Sequence, residues 1–178
     1  MTAFPDNLLP FFNRTLANPL LDAVMPWLSG NVVFFPALIL AAAWLLWKGG
    51  PRERIYVVVM VAIVLILGDL AAAPIKKAIL RPRPYNTWPD LVRHVPGTPE
   101  FGGESLGSMP SAHSMNWAAI AVVTALFFGR RWLWLGLVAG AVGVSRLYLG
   151  VHYPSDVLAG WGIGLAGGLA LAYGLDFL

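Results

Sequence analysis

The stretch SRLYLGVHYPSD, residues 145–156, places an arginine, a histidine and an aspartate where one long apolar run gives way to the next. The runs at 132–149 and 157–178 are both long enough to enter lipid, because a spanning helix needs about 20 predominantly apolar residues. Ionisable groups are costly within a bilayer and often mark a functional site there. The stretch therefore predicts a turn between two membrane helices that carries chemistry.

The composition of the 178-residue chain excludes an ordinary soluble domain. Hydrophobic residues make up 58% of the chain and charged residues 12%, whereas soluble domains carry about 25% charged residues. The net charge of +3 indicates no nucleic-acid partner, because the basic residues form neither a tract nor a stripe. Cysteine is absent, which excludes disulfides and thiolate metal sites. We expect a single integral membrane domain over residues 1–178.

Apolar segments long enough to cross a bilayer predict helices, since lipid cannot satisfy an open backbone. Residues 1–30 differ, because Leu9, Leu16 and Leu20 recur at helical spacing with polar residues between them. We interpret 8–28 as an amphipathic helix lying on or against the membrane; the alternative is a sixth span. The predicted fold is an all-α bundle of about five transmembrane helices plus this N-terminal amphipathic helix. The predicted spans are 32–47, 55–75, 114–128, 132–149 and 157–178.

The basic loops predict the orientation of the bundle, because short loops rich in lysine and arginine stay in the cytoplasm. The loops KGGPRER (48–54) and GRR (129–131) fall on the same side of a five-span arrangement. Residues 81–110, the predicted active-site loop, and the turn at 150–154 then face the non-cytoplasmic side. A binding site for an anion explains why that side also carries cations, namely Lys76, Lys77, Arg81, Arg83, Arg93 and Arg146.

Glycines recur every four residues in the last two predicted spans. Gly160, Gly164 and Gly168 lie in the final span, and Gly136 and Gly140 lie in the span before it. Such faces let helices pack closely in lipid. We interpret both as packing faces inside one bundle rather than as a dimer interface.

The first polar cluster is KKAILRPRP, residues 76–84. Pro82 disfavours helix in the residue before it, so the span is predicted to end near Leu80. Lys76 then lies on the last helical turn, and Arg83 lies on a stiff segment beyond it. The alternative is that these basic side chains only reach for lipid headgroups.

The second polar cluster is MPSAHSMNW, residues 109–117. Ser111 is a suitable cap for the helix that follows, and His113 falls in its first turn. Amide groups at a helix start form an anion site. The alternative is a capped helix with an incidental histidine.

The third cluster is the opening stretch, with Arg146 at the end of one span and His152 in the turn. Pro154 suits the first position of the next helix, which puts Asp156 in its first turn. A carboxylate bonded to one ring nitrogen of His152 fixes its tautomer and leaves the other nitrogen free. The alternative is that Asp156 only caps the helix.

All three clusters fall on one face of the predicted membrane domain, and together they suit phosphate. Lys76, Arg83 and Arg146 can hold a phosphate dianion and stabilise charge on its oxygens during transfer. One histidine can attack phosphorus while the other protonates the departing oxygen. A metal site fits poorly, because Asp156 is the only carboxylate within the clusters.

The three clusters resemble the signature of the type 2 phosphatidic acid phosphatases, membrane relatives of the vanadium haloperoxidases. That signature reads K-x6-R-P, then P-S-G-H, then S-R-x5-H-x3-D, and its order and spacing agree over roughly residues 69–160. One departure is Ala112, which stands where the family usually has glycine and whose methyl group limits how closely phosphate approaches. The matching residues are Lys76, Arg83, Pro84, Pro110, Ser111, His113, Ser145, Arg146, His152 and Asp156.

The resemblance implies a role for each matching polar residue. His152 is the implied nucleophile that forms a phosphohistidine, and Asp156 orients it. His113 is the implied general acid for the leaving group. The resemblance implies no cofactor and no metal. The implied phosphate-binding residues are Lys76, Arg83, Ser111, Arg146 and the backbone amide near Ala112.

The resemblance also implies an integral membrane phosphatase whose partners are the bilayer and a lipid phosphate. Phosphatidylglycerophosphate, phosphatidic acid, undecaprenyl diphosphate and a lipid A phosphate stay open as substrates. A lipid phosphotransferase and a non-catalytic headgroup-binding or transport protein are the alternatives, although binding alone needs no oriented histidine. The chain's size and plan suggest a bacterial inner membrane, with the site on the periplasmic or outer face. The oligomeric state and the roles of Asp69 and His94 stay open.

Overall fold

The computed structural model describes residues 8–98 and 106–174, and every regular element in those ranges is helical. This confirms the predicted all-α class. A single isolated bridge pairs Pro82 with Leu106. The longer helices are α1 (Pro19–Ser29), α2 (Asn31–Lys48), α3 (Pro51–Ala62), α4 (Ala72–Ile79), α5 (Ala112–Phe128), α6 (Leu135–Tyr148) and α7 (Pro154–Gly174). Shorter helical pieces are Leu8–Pro10, Phe11–Thr15, Ile63–Ala71, Pro84–Thr87 and Arg130–Trp134.

Each predicted span lies on helical backbone as far as the structure describes it, except that Leu149 lies in the turn after α6. The π-helical segment Ile63–Ala71 joins α3 to α4 without a break, and the 3-10 segment Arg130–Trp134 leads directly into α6. Among the described residues, α7 is the one helix that by itself is both long and apolar enough to cross a membrane. The count of about five spans therefore stays a prediction.

The N-terminal segment differs from the single amphipathic helix predicted over 8–28. It is divided after the π-helical turn, and α1 starts afresh where the side chain of Asn18 accepts a hydrogen bond from the Leu21 amide at 3.0 Å. Both faces of the segment are mixed in polarity, because Asn13 is buried beside the fully buried Leu9 while Leu20 and Trp27 are 71% and 58% exposed. Some apolar side chains thus pack on the protein and others face outward, where they suit lipid.

Hydrogen bonds from Asn13 hold this segment to two distant parts of the chain. The side-chain nitrogen Nδ2 of Asn13 donates to the Tyr148 carbonyl at 2.7 Å and to the Arg93 carbonyl at 3.1 Å. The side-chain oxygen Oδ1 accepts from the backbone amide of Arg93 at 2.7 Å. The Arg93 guanidinium also pairs with Asp22 on α1 at 2.7 Å. The N-terminal segment is therefore bound to the end of α6 and to the loop after α4.

Close contact between α5 and α7 forms the centre of the bundle, and glycine makes it possible. A β-carbon at Gly160 would lie 2.6 Å from the Ser111 carbonyl oxygen, and one at Gly164 would overlap the Met115 carbonyl oxygen. At Gly168 it would lie 3.1 Å from the α-carbon of Ala119. The predicted packing face on the last span is confirmed, because only glycine permits this approach.

The predicted packing face on the preceding span is wrong. Apart from the adjacent backbone of the same helix, no described atom lies within 4 Å of the position of a β-carbon at Gly136 or Gly140. The close approach on this helix occurs instead at Gly143, where the side chain of Trp161 on α7 lies against the backbone. Four-residue spacing alone does not reveal which face of a helix meets a neighbour.

Replacement of Gly164 by alanine is expected to lower the stability of the bundle by about 1–3 kcal/mol, since the added methyl group overpacks the α5 contact. The matched control is Gly162→Ala on the same helix, where nothing lies within 4 Å of the new carbon. Thermal unfolding in detergent measures both. Equal melting temperatures for the two variants would contradict the packing.

Candidate active site

In the first cluster, the helix ends near Leu80, as the sequence predicted. Helix α4 stops at Ile79, and Leu80 takes a left-handed conformation with φ of 49° before the chain extends. The carbonyl of Arg81 then accepts hydrogen bonds from the amides of Gly107 and Ser108 at 2.9 and 3.0 Å. These bonds bring the segment that precedes α5 alongside the end of α4.

Gly107 allows that segment to approach Lys76. Its φ of +84° favours glycine, and a β-carbon there would lie 3.3 Å from the Lys76 β-carbon. The Lys76 side chain is half-buried at this contact. The first and second clusters therefore meet at the end of α4.

The second cluster begins α5 as predicted. Ser111 is the N-terminal cap, and its hydroxyl accepts from the Ser114 amide at 3.4 Å and from the Ser114 hydroxyl at 3.0 Å. The amide of Ser111 donates to the Asp156 carbonyl at 3.0 Å. The starts of α5 and α7 are thus joined directly. The amides of Ala112 and His113 lie in the first turn, where a helix has no carbonyl of its own to offer them.

The side chain of Asp156 is fully buried at the start of α7 and is surrounded by donors. Its Oδ1 accepts from the Arg81 guanidinium at 2.7 Å. Its Oδ2 accepts from the Tyr153 amide at 2.9 Å and from the Ser108 hydroxyl. The same oxygen lies 3.6 Å from Nδ1 of His152. Asp156 therefore joins all three clusters and faces one nitrogen of the imidazole.

Three cations act electrostatically on the histidines. Arg146 is 1% exposed and donates to the hydroxyl of Ser29, while Arg83 donates to the Val151 carbonyl at 3.3 Å. The charges of Arg146, Lys76 and Arg83 all act on His113, as does His152. Arg146 and Arg83 act on His152 as well. The structure therefore places the residues that the sequence assigned to the site at one end of the bundle, and their roles stay predictions.

The imidazole of His152 is held neutral. Burial lowers the pKa of His152, the nearby Arg146 and Arg83 charges act in the same direction, and Asp156 opposes them, so that the resulting pKa is about 4. His152 lies in the turn between α6 and α7, where it is 2% exposed. A neutral ring at physiological pH has a free electron pair, which is the state that attack on phosphorus requires.

The sequence did not identify three polar residues that lie at this site. Arg81 bonds Asp156 and Ser155, both at 2.7 Å, and stacks on the ring of Tyr153 at 4.0 Å. Ser108 bonds Asp156, and Ser29 bonds Arg146. Arg81 lies within the first cluster, so its position in the sequence could have identified it as a site residue. No local pattern around Ser108 or Ser29 points to the site.

The sequence left the roles of two other polar residues open. His94 is exposed in the loop after α4. The side chain of Asp69 lies outside the described residues. Within the described ranges, no three histidine, aspartate or glutamate side chains group as metal ligands, and a metal-free site stays a prediction.

A helical bundle with two histidines and three cations at the ends of its helices defines a class of membrane phosphoryl-transfer proteins. The chain belongs to the PAP2 superfamily, whose sequence profile matches residues 53–177. This confirms the predicted family and the predicted class of enzyme, that of the phosphatases.

Curated relatives and a solved structure agree with this assignment. The chain is 33% identical over 167 residues to lipid A 4'-phosphatase from Bacteroides thetaiotaomicron, covering 90% of this chain and 72% of that one. It is 30% identical over 146 residues to undecaprenyl-diphosphatase from Sulfolobus acidocaldarius, covering 81% and 66%. The transmembrane PAP2 type phosphatidylglycerolphosphate phosphatase from Bacillus subtilis superposes with a TM-score of 0.70 at 27% identity, covering 95% and 83%.

Replacement of Arg81 by glutamine is expected to destabilise the protein, because the buried Asp156 carboxylate loses its ion-pair partner. Complete removal of one partner from a buried pair costs about 3–5 kcal/mol. The loss should be smaller here, since the Arg81 side chain is 27% exposed and Ser108 and Tyr153 still donate to the carboxylate. Thermal unfolding measures it against Lys77→Gln, which removes an exposed cation four residues earlier. A variant as stable as this control would contradict the role of Arg81.

The depressed pKa of His152 predicts a pH dependence of stability. The unfolded chain binds a proton near pH 6.5 while the folded imidazole binds one only near pH 4. Stability is therefore present above pH 6.5 and is lost as the pH falls toward 4, by up to about 3 kcal/mol. His152→Gln should remove this part of the slope in melting temperatures between pH 7.5 and 4.5, and His94→Gln should keep it. An unchanged slope in His152→Gln would contradict the shift.

Proposed function

We propose that the protein is an integral membrane hydrolase that releases phosphate from a lipid headgroup through a phosphohistidine at His152. The observation that carries the proposal is the meeting of two imidazoles in one cationic field. His113 and His152 interact electrostatically with each other and with both Arg146 and Arg83. A site that only bound a headgroup would need the cations but not a neutral histidine beside a buried carboxylate.

In the first step, His152 attacks the phosphorus of the lipid headgroup. Its Nδ1 faces Asp156, which leaves Nε2 as the attacking atom. A nitrogen–phosphorus bond forms while the bond from phosphorus to the lipid oxygen breaks. The Arg146 charge and burial lower the pKa of His113 well below its usual range, and the dianionic phosphate offsets the cations when it binds. His113 is then protonated and gives that proton to the lipid oxygen, so that the lipid leaves as an alcohol or as a monophosphate.

In the second step, water attacks the phosphohistidine. The nitrogen–phosphorus bond breaks, the electron pair returns to His152, and the proton of the water passes to His113. Phosphate leaves and both imidazoles return to their starting state. Lys76, Arg83 and Arg146 stabilise the equatorial oxygens in both steps, together with the free amides at the start of α5.

The proposed substrate is a phosphate or diphosphate on a membrane lipid. Relatives named for lipid A, undecaprenyl diphosphate and phosphatidylglycerolphosphate support this class without choosing among its members. We place the protein in the bacterial inner membrane with the site on the periplasmic face. The basic loops at 48–54 and 129–131 support that orientation, because they belong to the opposite side.

Release of inorganic phosphate from a panel of lipid phosphates, phosphatidic acid included, tests the proposal on purified protein. His152→Ala should abolish release, because the nucleophile is lost. His113→Ala should lower it by about 10²–10⁴-fold, the usual contribution of a general acid. His94→Ala is the matched control and should retain wild-type activity.

The identity of the intermediate supplies a second readout. Protein quenched during turnover should carry an acid-labile phosphoryl group on His152, and His152→Ala protein should carry none. Turnover that is indifferent to both histidine changes would overturn the proposal. Binding without turnover would favour a headgroup-binding or transport protein, and transfer of the phosphoryl group to an added alcohol in place of water would favour a phosphotransferase.

A further inference from the structure

A cavity of about 530 Å³ lies between α2, α3, α5 and the start of α6, and it extends along α5 from Trp117, one turn beyond His113, to the opposite end of the bundle. Pockets that hold small ligands have volumes of about 300–1,000 Å³. On α5 its lining runs from Trp117 to Phe128, and Thr124 lies eleven residues beyond His113, which is roughly 16 Å along a helix. None of the residues assigned to the active site lines it. The cavity is therefore a separate feature of the fold.

The walls of this cavity suit a hydrocarbon chain. They are built mainly of aliphatic and aromatic side chains, including Trp44 and Met60. The two hydroxyl groups in the lining bond to the protein itself: Tyr56 and Thr124 lie 2.8 Å apart, and Thr124 also donates to the Ile120 carbonyl at 2.6 Å. A chain inside the cavity would therefore meet no unsatisfied hydroxyl, and the one lining side chain with a buried unpaired donor among the described residues is Trp132, whose indole nitrogen has no partner.

The rim of the cavity carries cations. Arg131 lines the cavity and is exposed. Arg52 stands nearby, held by a hydrogen bond to the Phe127 carbonyl at 3.2 Å and by its stacking on the Phe127 ring at 4.8 Å. Lys48 and Arg54 lie in the same basic loop. The rim thus combines a positive field with an opening onto an apolar interior.

Tryptophans place this rim at the depth of lipid headgroups. Trp44, Trp47 and Trp134 are 61%, 75% and 52% exposed on the helices around the cavity. Exposed tryptophans at helix ends mark the boundary between headgroups and acyl chains. Arg131 therefore lies where the phosphate of a phospholipid would be, and the cavity extends from there toward the acyl region.

We propose that this cavity binds one anionic phospholipid, with its phosphate on Arg131 and one acyl chain between α2 and α5. The lipid belongs to the leaflet on the side of the loops at 48–54 and 129–131. Charge complementarity at the rim selects an anionic headgroup over a zwitterionic one, because both offer the same chain to the apolar walls. The site is distinct from the proposed catalytic site and does not depend on it.

Mass spectrometry of intact protein released from nanodiscs containing equal phosphatidylglycerol and phosphatidylcholine tests the proposal. Wild-type protein should retain phosphatidylglycerol in about tenfold excess, the effect expected of a charge-assisted bond. Arg131→Gln should abolish this preference, while Arg130→Gln, which removes the neighbouring exposed cation outside the cavity, should keep it. Equal retention by the two variants, or equal retention of the two lipids by wild type, would overturn the proposal.

Filling the cavity supplies a second test that does not alter charge. Ala42→Phe places a ring among the lining residues and should lower retention of phosphatidylglycerol several-fold. Leu40→Phe is the matched control, since Leu40 is 71% exposed outside the cavity. Unfolding temperatures equal to wild type establish that both variants are folded, and retention unchanged in a folded Ala42→Phe protein would overturn the proposal.

The catalytic variant separates this proposal from the proposed function. Phosphatidylglycerol is a diester and offers no terminal phosphate to His152. His152→Ala protein should therefore retain it as wild type does, and loss of retention would place the lipid at the catalytic site and overturn the proposal. Retention without any phosphatase activity in wild type would support this lipid site and count against the proposed function alone.

Discussion

Burial of the Asp156 carboxylate is the constraint on which the site depends. A buried charge is tolerated only when donors replace the lost water. Here the donors come from Arg81 after α4, from Ser108 in the segment before α5, and from the amide of Tyr153. The backbone carbonyl of Asp156 adds a bond from Ser111. Segments separated by up to 75 positions along the chain meet here because each supplies a hydrogen-bond donor that the buried carboxylate requires.

The close packing of α5 on α7 makes that meeting possible. Glycines at 160, 164 and 168 let the two backbones approach to a distance that any side chain would prevent. The starts of both helices are then side by side, so the amides of α5 and the histidine turn before α7 share one end of the bundle. In lipid, where apolar burial does not drive helices together, such close backbone contact supplies much of the packing.

The two ends of the bundle differ in their chemistry. At one end, Arg146 and Arg83 act on a neutral imidazole in a site formed by helix ends and the loop residues between them. At the other end, Arg131 and the exposed tryptophans lie at the mouth of an apolar cavity. Under the two proposals made above, arginine and aromatic side chains serve phosphoryl chemistry at one end and contact with a lipid at the other.

The sequence by itself determined the helical class, the end of α4 near Leu80, the cap at Ser111 and the residues of the three clusters. These features depend on local chemistry. Proline restricts the backbone conformation of the residue before it, a serine hydroxyl caps a helix, and the residues of a motif are recognised by their fixed spacing in the sequence. The tertiary structure alone decided that Arg81 and Ser108 hold Asp156, and that Asn13 turns inward. It also decided which glycine face meets a helix. Such partnerships join residues far apart in the chain, and packing selects them where no local pattern records them.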